Sequence, residues 1–317
     1  MSDSRLRVLI AWQPDAANSE ILDAVAWLHR SGPITVRAIL AFTRPWPQTS
    51  LSKLGGKYKK WLKKQEEASR DVVTAALLDA GVDADCFDSK LAVFADGSSE
   101  PHLLTQAAED FHADIILLGP AQAAPKGRYL AGTTADALLH ASPYPLGLIP
   151  REVKLGKKGV NRVSCALTEE AGSAAVFDHA AAVAETYSVP LRIVAFVPDR
   201  VGNALKSTNS KLESVLADDA REHALANLDR ARDSVVKHRP ELQVETELAT
   251  GSGWSEAMDA VKWKKSDLLV VGSEDSNPIA RVFMGSHTSA VLKHARVPVM
   301  IYPTTTSTRP SRGTDYA

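Results

Sequence analysis

One segment of the chain occurs twice, and this repeat constrains the fold more than any other feature. Residues 114–150 align without a gap to residues 267–303, which lie 153 positions further along. Nine of the 37 aligned pairs are identical, namely Asp114/Asp267, Gly119/Gly272, Pro125/Pro278, Arg128/Arg281, Gly132/Gly285, Ala137/Ala290, Leu139/Leu292, Pro145/Pro298 and Pro150/Pro303. Such a long period indicates a duplicated domain rather than a solenoid. A chain of 317 residues has room for two domains.

Each half of the chain alternates short apolar segments with longer helical patterns. The segments IILLG and LLVVG are apolar on both faces, as strands buried in a parallel sheet must be. Strands that alternate with helices predict an α/β fold, here two tandem doubly wound parallel-sheet domains. The predicted strands are 6–12, 34–42, 85–94, 114–119, 144–149, 163–167, 190–197, 242–250, 267–272 and 297–302. The predicted helices are 17–30, 57–79, 101–111, 133–140, 173–187, 211–237, 255–263 and 286–294.

The domain boundaries follow from this pattern. We predict a first domain over 1–152, a second over 160–304, an exposed basic linker over 151–162 and a disordered polar tail over 305–317. The last strand of each half is bracketed by prolines, which belong at sheet edges, yet it is too apolar for an open edge. We therefore predict that these two strands pair with each other across a pseudo-twofold axis, which makes the chain an intramolecular pseudo-dimer.

Composition excludes several classes of function. The net charge of −1 gives no overall attraction to nucleic acid or membrane, and no apolar segment is long enough to span a bilayer. Two cysteines and nine scattered histidines, His287 among them, predict neither a disulfide framework nor a metal site. We expect a cytoplasmic protein. The basic segment 55–67 carries Tyr58, Trp61 and Leu62 at helical spacing, which favours a buried helix face with solvated lysines over a nucleic-acid or lipid patch.

The repeated loop is the candidate binding element. In each half a buried strand ends in glycine, Gly119 or Gly272, and a helix begins at Gly132–Thr133 or Gly285–Ser286. Ligands of parallel sheets bind where loops leave the carboxyl ends of the strands, and a helix N-terminus suits phosphate. The alternative is a strand-end turn followed by an N-capped helix. Residue types alone leave both interpretations open.

The strand–loop–helix–strand unit resembles the universal stress protein family, and the resemblance extends over nearly the whole chain. Nucleotide-binding members carry G-x2-G-x9-G-(S/T) at this place, and the two loops match its spacing. Gln122 and Asp275 replace the middle glycine. The resemblance also implies an aspartate after the first strand that contacts adenosine, and here Gln13 and Thr168 stand in its place. ATP is therefore the implied cofactor, with a degenerate motif in both halves.

The two loops differ in charge. Loop 119–132 carries Lys126 and Arg128, for a net charge of +2. Loop 272–285 carries Arg281 with two acids, for a net charge of −1. The second half retains hydroxyls at Ser286 and Thr288. Because acids repel phosphates, the first half is predicted to be the better anion site.

The resemblance implies a tandem, non-enzymatic stress-response regulator with partly degenerate adenine-nucleotide pockets and no catalytic residue. A weak ATP-hydrolysing or autophosphorylating enzyme and a ligand-free interaction scaffold are the alternatives. Expected partners are an adenine nucleotide and an unidentified protein, with a further homodimer left open.

Overall fold

Ten strands and eight helices alternate through the described residues, which are 5–13, 19–43, 55–167, 173–198, 210–273 and 286–303 of this computed structural model. The strands are β1 (Leu6–Ala11), β2 (Ile34–Thr43), β3 (Phe87–Gly97), β4 (Ile115–Leu118), β5 (Leu146–Leu148), β6 (Arg162–Leu167), β7 (Leu191–Pro198), β8 (Val244–Gly251), β9 (Asp267–Ser273) and β10 (Val299–Pro303). The helices are α1 (Ser19–His29), α2 (Gly55–Asp79), α3 (Glu100–Phe111), α4 (Thr133–Ala141), α5 (Ser173–Thr186), α6 (Ser210–His238), α7 (Trp254–Ala260) and α8 (Ser286–His294). The predicted tail 305–317 lies outside these ranges.

All ten strands belong to one sheet, in the order β3-β2-β1-β4-β5-β10-β9-β6-β7-β8. Neighbouring strands within each half are parallel, whereas β5 and β10 pair antiparallel at the centre. Gly147 pairs with Met300, its own counterpart in the repeat, so the pseudo-twofold axis passes through this pair. The predicted fold class and the pairing of the two last strands are confirmed.

Four helices cover each face of the sheet. Side chains of α1, α2, α5 and α6 form one core cluster, and side chains of α3, α4, α7 and α8 form the other. Along β1, Val8 and Ile10 belong to the first cluster and Leu9 to the second, as the alternation of a strand dictates. Both clusters contain residues of both halves. The two halves therefore share continuous cores.

The predicted helix 255–263 is wrong at its carboxyl end. The helix ends at Ala260, and the chain then turns so that the Trp263 indole N–H donates to the Met258 carbonyl over 2.8 Å. The Arg192 guanidinium lies 4.9 Å from the Trp263 ring centroid. The half-buried indole of Trp263 thus makes a cation–π contact and a hydrogen bond outside the helix.

The segment 151–162 joins the two halves and its lysines are exposed, but it also docks onto the second half and onto the first-half loop. The Gly156 amide donates to the Lys265 carbonyl over 2.8 Å, and the Asn161 amide donates to the Ser266 carbonyl over 2.9 Å. Val160 is buried in the core. Composition alone suggested a solvated segment, whereas these contacts make it part of the folded body.

The basic segment at the start of α2 is helical as predicted, but the predicted aromatic face is only partly buried. Tyr58 and Leu62 are half-buried, and the Tyr58 hydroxyl donates to the Asp96 carboxylate over 2.6 Å. Trp61 is 40% exposed and lies edge-to-face with Phe94, at 5.8 Å between ring centroids. The aromatic residues therefore form one cluster against the ends of β2 and β3, and the neighbouring lysines are exposed.

Candidate functional site

A cleft of about 750 Å³ opens at the carboxyl ends of β1 and β4 in the first half. Its walls are the residues that follow these two strands and the first turns of α1, α3 and α4. The lining residues are Ala11, Gln13, Ser19, Glu20, Ile21, Glu100, Leu118, Gly119, Pro120, Ala121, Gln122, Gly132, Thr133, Thr134, Ala135, Arg151 and Glu152. This is the edge at which parallel sheets bind ligands.

Five of the residues predicted from sequence meet in this cleft. Gln13 follows β1, Gly119 follows β4, Gln122 lies in the loop beyond it, and Gly132 and Thr133 begin α4. Gly132 occupies the N-cap position of α4 and has no side chain that could accept a hydrogen bond from the first amides of the helix. The sequence pattern therefore identified one continuous surface.

Arg128 lies elsewhere, contrary to the prediction that it forms part of an anion site. Its guanidinium donates to the carbonyl of His294 at the end of α8. Burial, and then the nearby Arg296, lower the pKa of Arg128, with Asp259 opposing. Loop periodicity does not reveal which way a side chain turns, and here it turns toward the other half of the chain.

Three carboxylates from outside loop 119–132 line the cleft, so the net charge of the loop did not include them. Glu20 is the second residue of α1, Glu100 begins α3, and Glu152 follows β5. Lys126 pairs with Glu152 at 2.8 Å, and this hydrogen bond, with the charge of Lys126, lowers the pKa of that carboxyl group. The predicted excess of positive charge is therefore wrong for the cleft. The sequence signal for Glu20 and Glu100 was an acidic residue at the start of a helix that begins at this edge of the sheet.

Arg151 is a further lining residue of the cleft that the sequence pattern does not reveal. Its guanidinium donates to the carbonyls of Gln122, over 3.0 Å, and Ala124, over 2.9 Å. Its backbone exchanges hydrogen bonds with the same loop, since the Gly127 amide donates to its carbonyl and its amide donates to the carbonyl of Arg128. Arg151 thus fixes the loop that carries Gln122.

In the second half, the structure describes fewer of the predicted residues. Thr168, Arg281 and Gly285 lie outside the described ranges, and Ser286 is the first residue of α8. The Thr288 side chain is fully buried and donates to the Gly272 carbonyl over 2.7 Å. Thr288 therefore fastens α8 to the end of β9, and its hydroxyl is not directed to a ligand.

The two halves differ in chemistry where the first turns of two helices meet. In the first half, the Thr134 hydroxyl of α4 donates to the Glu100 carboxylate of α3 over 2.6 Å. Thr134 and His287 occupy equivalent positions of the repeat, and Glu100 and Trp254 each begin the preceding helix. In the second half, Trp254 and His287 lie edge-to-face at 5.3 Å between ring centroids. A hydrogen bond between a hydroxyl and a carboxylate in the first half is therefore replaced by an aromatic contact in the second.

A larger groove, of about 1160 Å³, lies between α5 and α6. Arg239 bridges its walls, with Asp178 at 2.9 Å and Glu185 at 3.1 Å. None of the residues predicted from the repeated loop lines it. These ion pairs join α5 to the residue that follows α6, which is a structural role. We therefore assign ligand binding to the first-half cleft.

The described ranges contain neither a cluster of metal-binding side chains nor a membrane-spanning helix. No group of three or more His, Cys, Asp or Glu residues there could hold a metal ion. No helix among these residues is both long and apolar enough to cross a membrane. Cys86 and Cys165 are both buried and unpaired.

Comparison with known proteins gives one consistent result. A model of the universal stress protein family matches residues 159–303. Universal stress proteins of Mycobacterium bovis and Mycobacterium tuberculosis are 31% identical over 287 residues, which cover 88% of this chain and 92% of theirs. The crystal structure of a universal stress protein from Archaeoglobus fulgidus superimposes with a TM-score of 0.62 at 15% identity, over 94% of this chain and 98% of that one. A Pseudomonas aeruginosa protein of unknown function has a TM-score of 0.53 at 12% identity, over 95% and 93% of the two chains.

Proposed function

Because the chain belongs to the universal stress protein family, we propose that it is a non-enzymatic stress-response regulator that binds an adenine compound in its first-half cleft. The observation that carries this proposal is the convergence of Gln13, Gly119, Gln122, Gly132 and Thr133 on one cleft at the carboxyl edge of the sheet. A volume of about 750 Å³ lies within the range of small-molecule sites. Amide side chains and an uncapped helix N-terminus supply polar contacts there.

The arrangement of cations supports a regulator over an ATP-hydrolysing or autophosphorylating enzyme. Phosphoryl transfer requires cations that clamp the phosphate groups. In the described lining, Arg151 is bound to loop carbonyls, and the nearby Lys126 is paired with Glu152. These cations are occupied by contacts that shape the cleft.

We further propose residues 1–152 and 160–304 as the two domain units and the cytoplasm as the place of action. ATP is one of three adenine compounds to be compared, with AMP and adenosine. A protein partner that responds to cleft occupancy would carry the regulatory signal.

Calorimetric titration of the full chain with adenosine, AMP and ATP, together with a phosphate-release assay, tests the proposal. We expect saturable binding of at least one compound and no phosphate release above that of the buffer. Gly132→Val supplies the localising variant, since a Cβ atom at this position meets no protein atom within 4 Å and would point into open space. It should weaken binding at least about tenfold, which corresponds to roughly 1.4 kcal/mol.

Gly56→Ala is the matched control, because position 56 is equally open but lies on α2 outside the cleft. It should bind as the unmodified chain does. Absence of heat with all three compounds at millimolar concentration would contradict the proposal. Steady phosphate release would support the enzyme instead.

A further inference from the structure

We propose that the first-half cleft selects an uncharged nucleoside over the corresponding nucleotide, because the carboxylate of Glu100 places a negative charge beside the first turn of α4. This inference rests on the proposed function, since it concerns the ligand of the same cleft. It names the chemical class of that ligand and the residue that determines the selection.

The position of Glu100 is the first step of the argument. Its carboxylate lines the cleft and accepts a hydrogen bond of 2.6 Å from the hydroxyl of Thr134, the second residue of α4. The N-terminus of a helix attracts negative charge through its free amides and its dipole. The hydrogen bond from Thr134 therefore holds a carboxylate of the chain itself beside the first turn of α4, where a ligand phosphate would have to lie.

The charges around Glu100 are the second step. Within the described part of the chain, no cation pairs with Glu100, whereas Glu152 is paired with Lys126. Glu20 adds a further carboxylate, whose Oε1 accepts the Glu152 amide over 3.2 Å. A phosphate that entered beside Glu100 would meet like charge at short range, which is strongly repulsive in a partly enclosed site.

The neutral groups of the cleft are the third step. Gln13 and Gln122 supply amides, Thr133 supplies a hydroxyl, and Ile21 and Leu118 supply apolar surface. Ribose hydroxyls and the edges of a base form hydrogen bonds with amides, and a base packs on apolar side chains. The lining therefore matches a nucleoside without requiring a negative charge on it.

The second half shows that the fold does not require a contact like the one between Thr134 and Glu100. There, Trp254 takes the place of Glu100, and His287 takes the place of Thr134. In the second half, the described acid in the first turn of α7 is Glu256, which accepts the Ser252 amide over 3.0 Å, and the contact between the two helix starts is aromatic. Selection against phosphate is accordingly expected in the first-half cleft.

Adenosine and AMP differ by one phosphate, so their relative affinities test the inference without a divalent cation. Calorimetry of the full chain in a chelator-containing buffer should show that adenosine binds at least about tenfold more tightly than AMP. Glu100→Gln preserves the shape and can still accept the Thr134 hydrogen bond. It should raise AMP affinity about tenfold or more and change adenosine affinity less than about threefold.

Glu109→Gln is the matched control, since Glu109 is an exposed acid of the same helix outside the cleft. It should leave the adenosine-to-AMP ratio unchanged. Tighter binding of AMP than adenosine by the unmodified chain, or an unchanged ratio in Glu100→Gln, would overturn the inference and leave the proposed function standing. Failure of both compounds and of ATP to bind the unmodified chain would overturn the proposed function as well.

Discussion

At the scale of single residues, the charges buried beneath the amino ends of β6, β7 and β9 are the most demanding feature of the second half. Asp267 is fully buried and pairs with Arg162 at 2.7 Å and with Arg192 at 3.5 Å. Arg192 is 2% exposed and also pairs with Glu247 at 2.7 Å. The hydroxyl of Ser164 accepts two further hydrogen bonds from Arg192. Each charge is thus compensated by a specific partner.

Replacing Asp267 by Asn should destabilise the protein strongly, because two guanidinium groups would lose their buried counter-charge. Removing one partner of a buried pair costs about 3–5 kcal/mol. The free energy of unfolding from urea denaturation measures the effect. The control is Asp259→Asn, which breaks the exposed Asp259–Arg296 pair and should cost no more than about 1 kcal/mol. Equal losses in the two variants would refute the argument from burial.

His179 should make stability depend on pH below neutrality. The imidazole of His179 stacks on the ring of Tyr302 at 4.3 Å between centroids, although the residue as a whole is exposed. Partial desolvation of this ring lowers the pKa of His179 from its ordinary value of 6.5, and the charge of Asp178 opposes the shift. Since the unfolded chain then binds the proton more tightly, the stabilisation is complete above pH 6.5. It is lost as the pH falls from 6.5 through the folded pKa.

Melting temperatures measured from pH 8 to pH 5 test this dependence, with His179→Gln as the variant. The variant should show a smaller decrease with falling pH than the unmodified chain. His102→Gln, which changes an exposed histidine of α3, should retain the full decrease. A decrease in His179→Gln as large as that of the unmodified chain would exclude His179 as the source.

At the scale of elements, the pairing of β5 with β10 depends on unlike residues at the axis. Gly147 faces its counterpart Met300, and the neighbouring pairs are Leu146 with Ile301 and Leu148 with Val299. In a homodimer the two axis residues would be identical. Because the two halves belong to one chain, the two axis residues can differ, with the small Gly147 in the first half and the large Met300 in the second.

Gly147→Val should therefore destabilise the central pairing. A Cβ atom at this position would lie 2.3 Å from Leu117 Cδ2 and 3.0 Å from Ile115 Cδ1, so both side chains must move. Overpacking of this kind costs about 1–3 kcal/mol. Urea denaturation gives the change in free energy, and Gly56→Ala, with open space around its Cβ, should cause no loss. Gly147→Val as stable as the unmodified chain would show that the centre of the sheet is loosely packed.

The elements themselves were largely predictable, because buried parallel strands and amphipathic helices have distinct periodicities. The prolines on both sides of the apolar strands β5 and β10 also indicated that these two strands pair at the centre of the sheet. The end of α7 was not predictable, because Trp263 leaves the helix to pack beneath Arg192, a partner 71 positions earlier in the sequence. Contacts of this separation leave no local pattern.

In the candidate site, too, features set by local sequence were predictable and features set by distant contacts were not. Spacing identified Gly119, Gln122 and Gly132, because backbone geometry fixes where a loop and a helix N-terminus lie. Charge was misjudged, because the carboxylates come from the starts of other helices and because Arg128 turns away. Side-chain direction in an irregular loop depends on tertiary contacts that composition does not encode.

At the scale of the whole molecule, Arg128 links the two halves. The loop that lines the first-half cleft reaches the last carbonyls of α8, a helix of the second half, through this side chain. Positive charge is favourable at a helix C-terminus, so the contact stabilises both the helix and the docking of the halves. Burial, and then the charge of Arg128, also lower the pKa of His294.

Arg128→Ala distinguishes this structural role from the role of an anion ligand. We expect a loss of about 1.5–3 kcal/mol in the free energy of unfolding, typical of a charged hydrogen bond, and adenosine affinity within about threefold of the unmodified chain. Lys126→Ala, in the same loop but on an exposed pair with Glu152, should change stability by less than about 1 kcal/mol. Loss of ligand affinity in Arg128→Ala with unchanged stability would restore the anion-ligand role.

The crystal structure of the full chain with adenosine tests the central claim most directly, because it shows which surface receives the ligand. We predict adenosine in the first-half cleft, in contact with Gln13 or Gln122, with the Glu100 carboxylate still bonded to Thr134. Adenosine bound in the groove between α5 and α6, or a first-half cleft that stays empty at saturating ligand, would contradict the account.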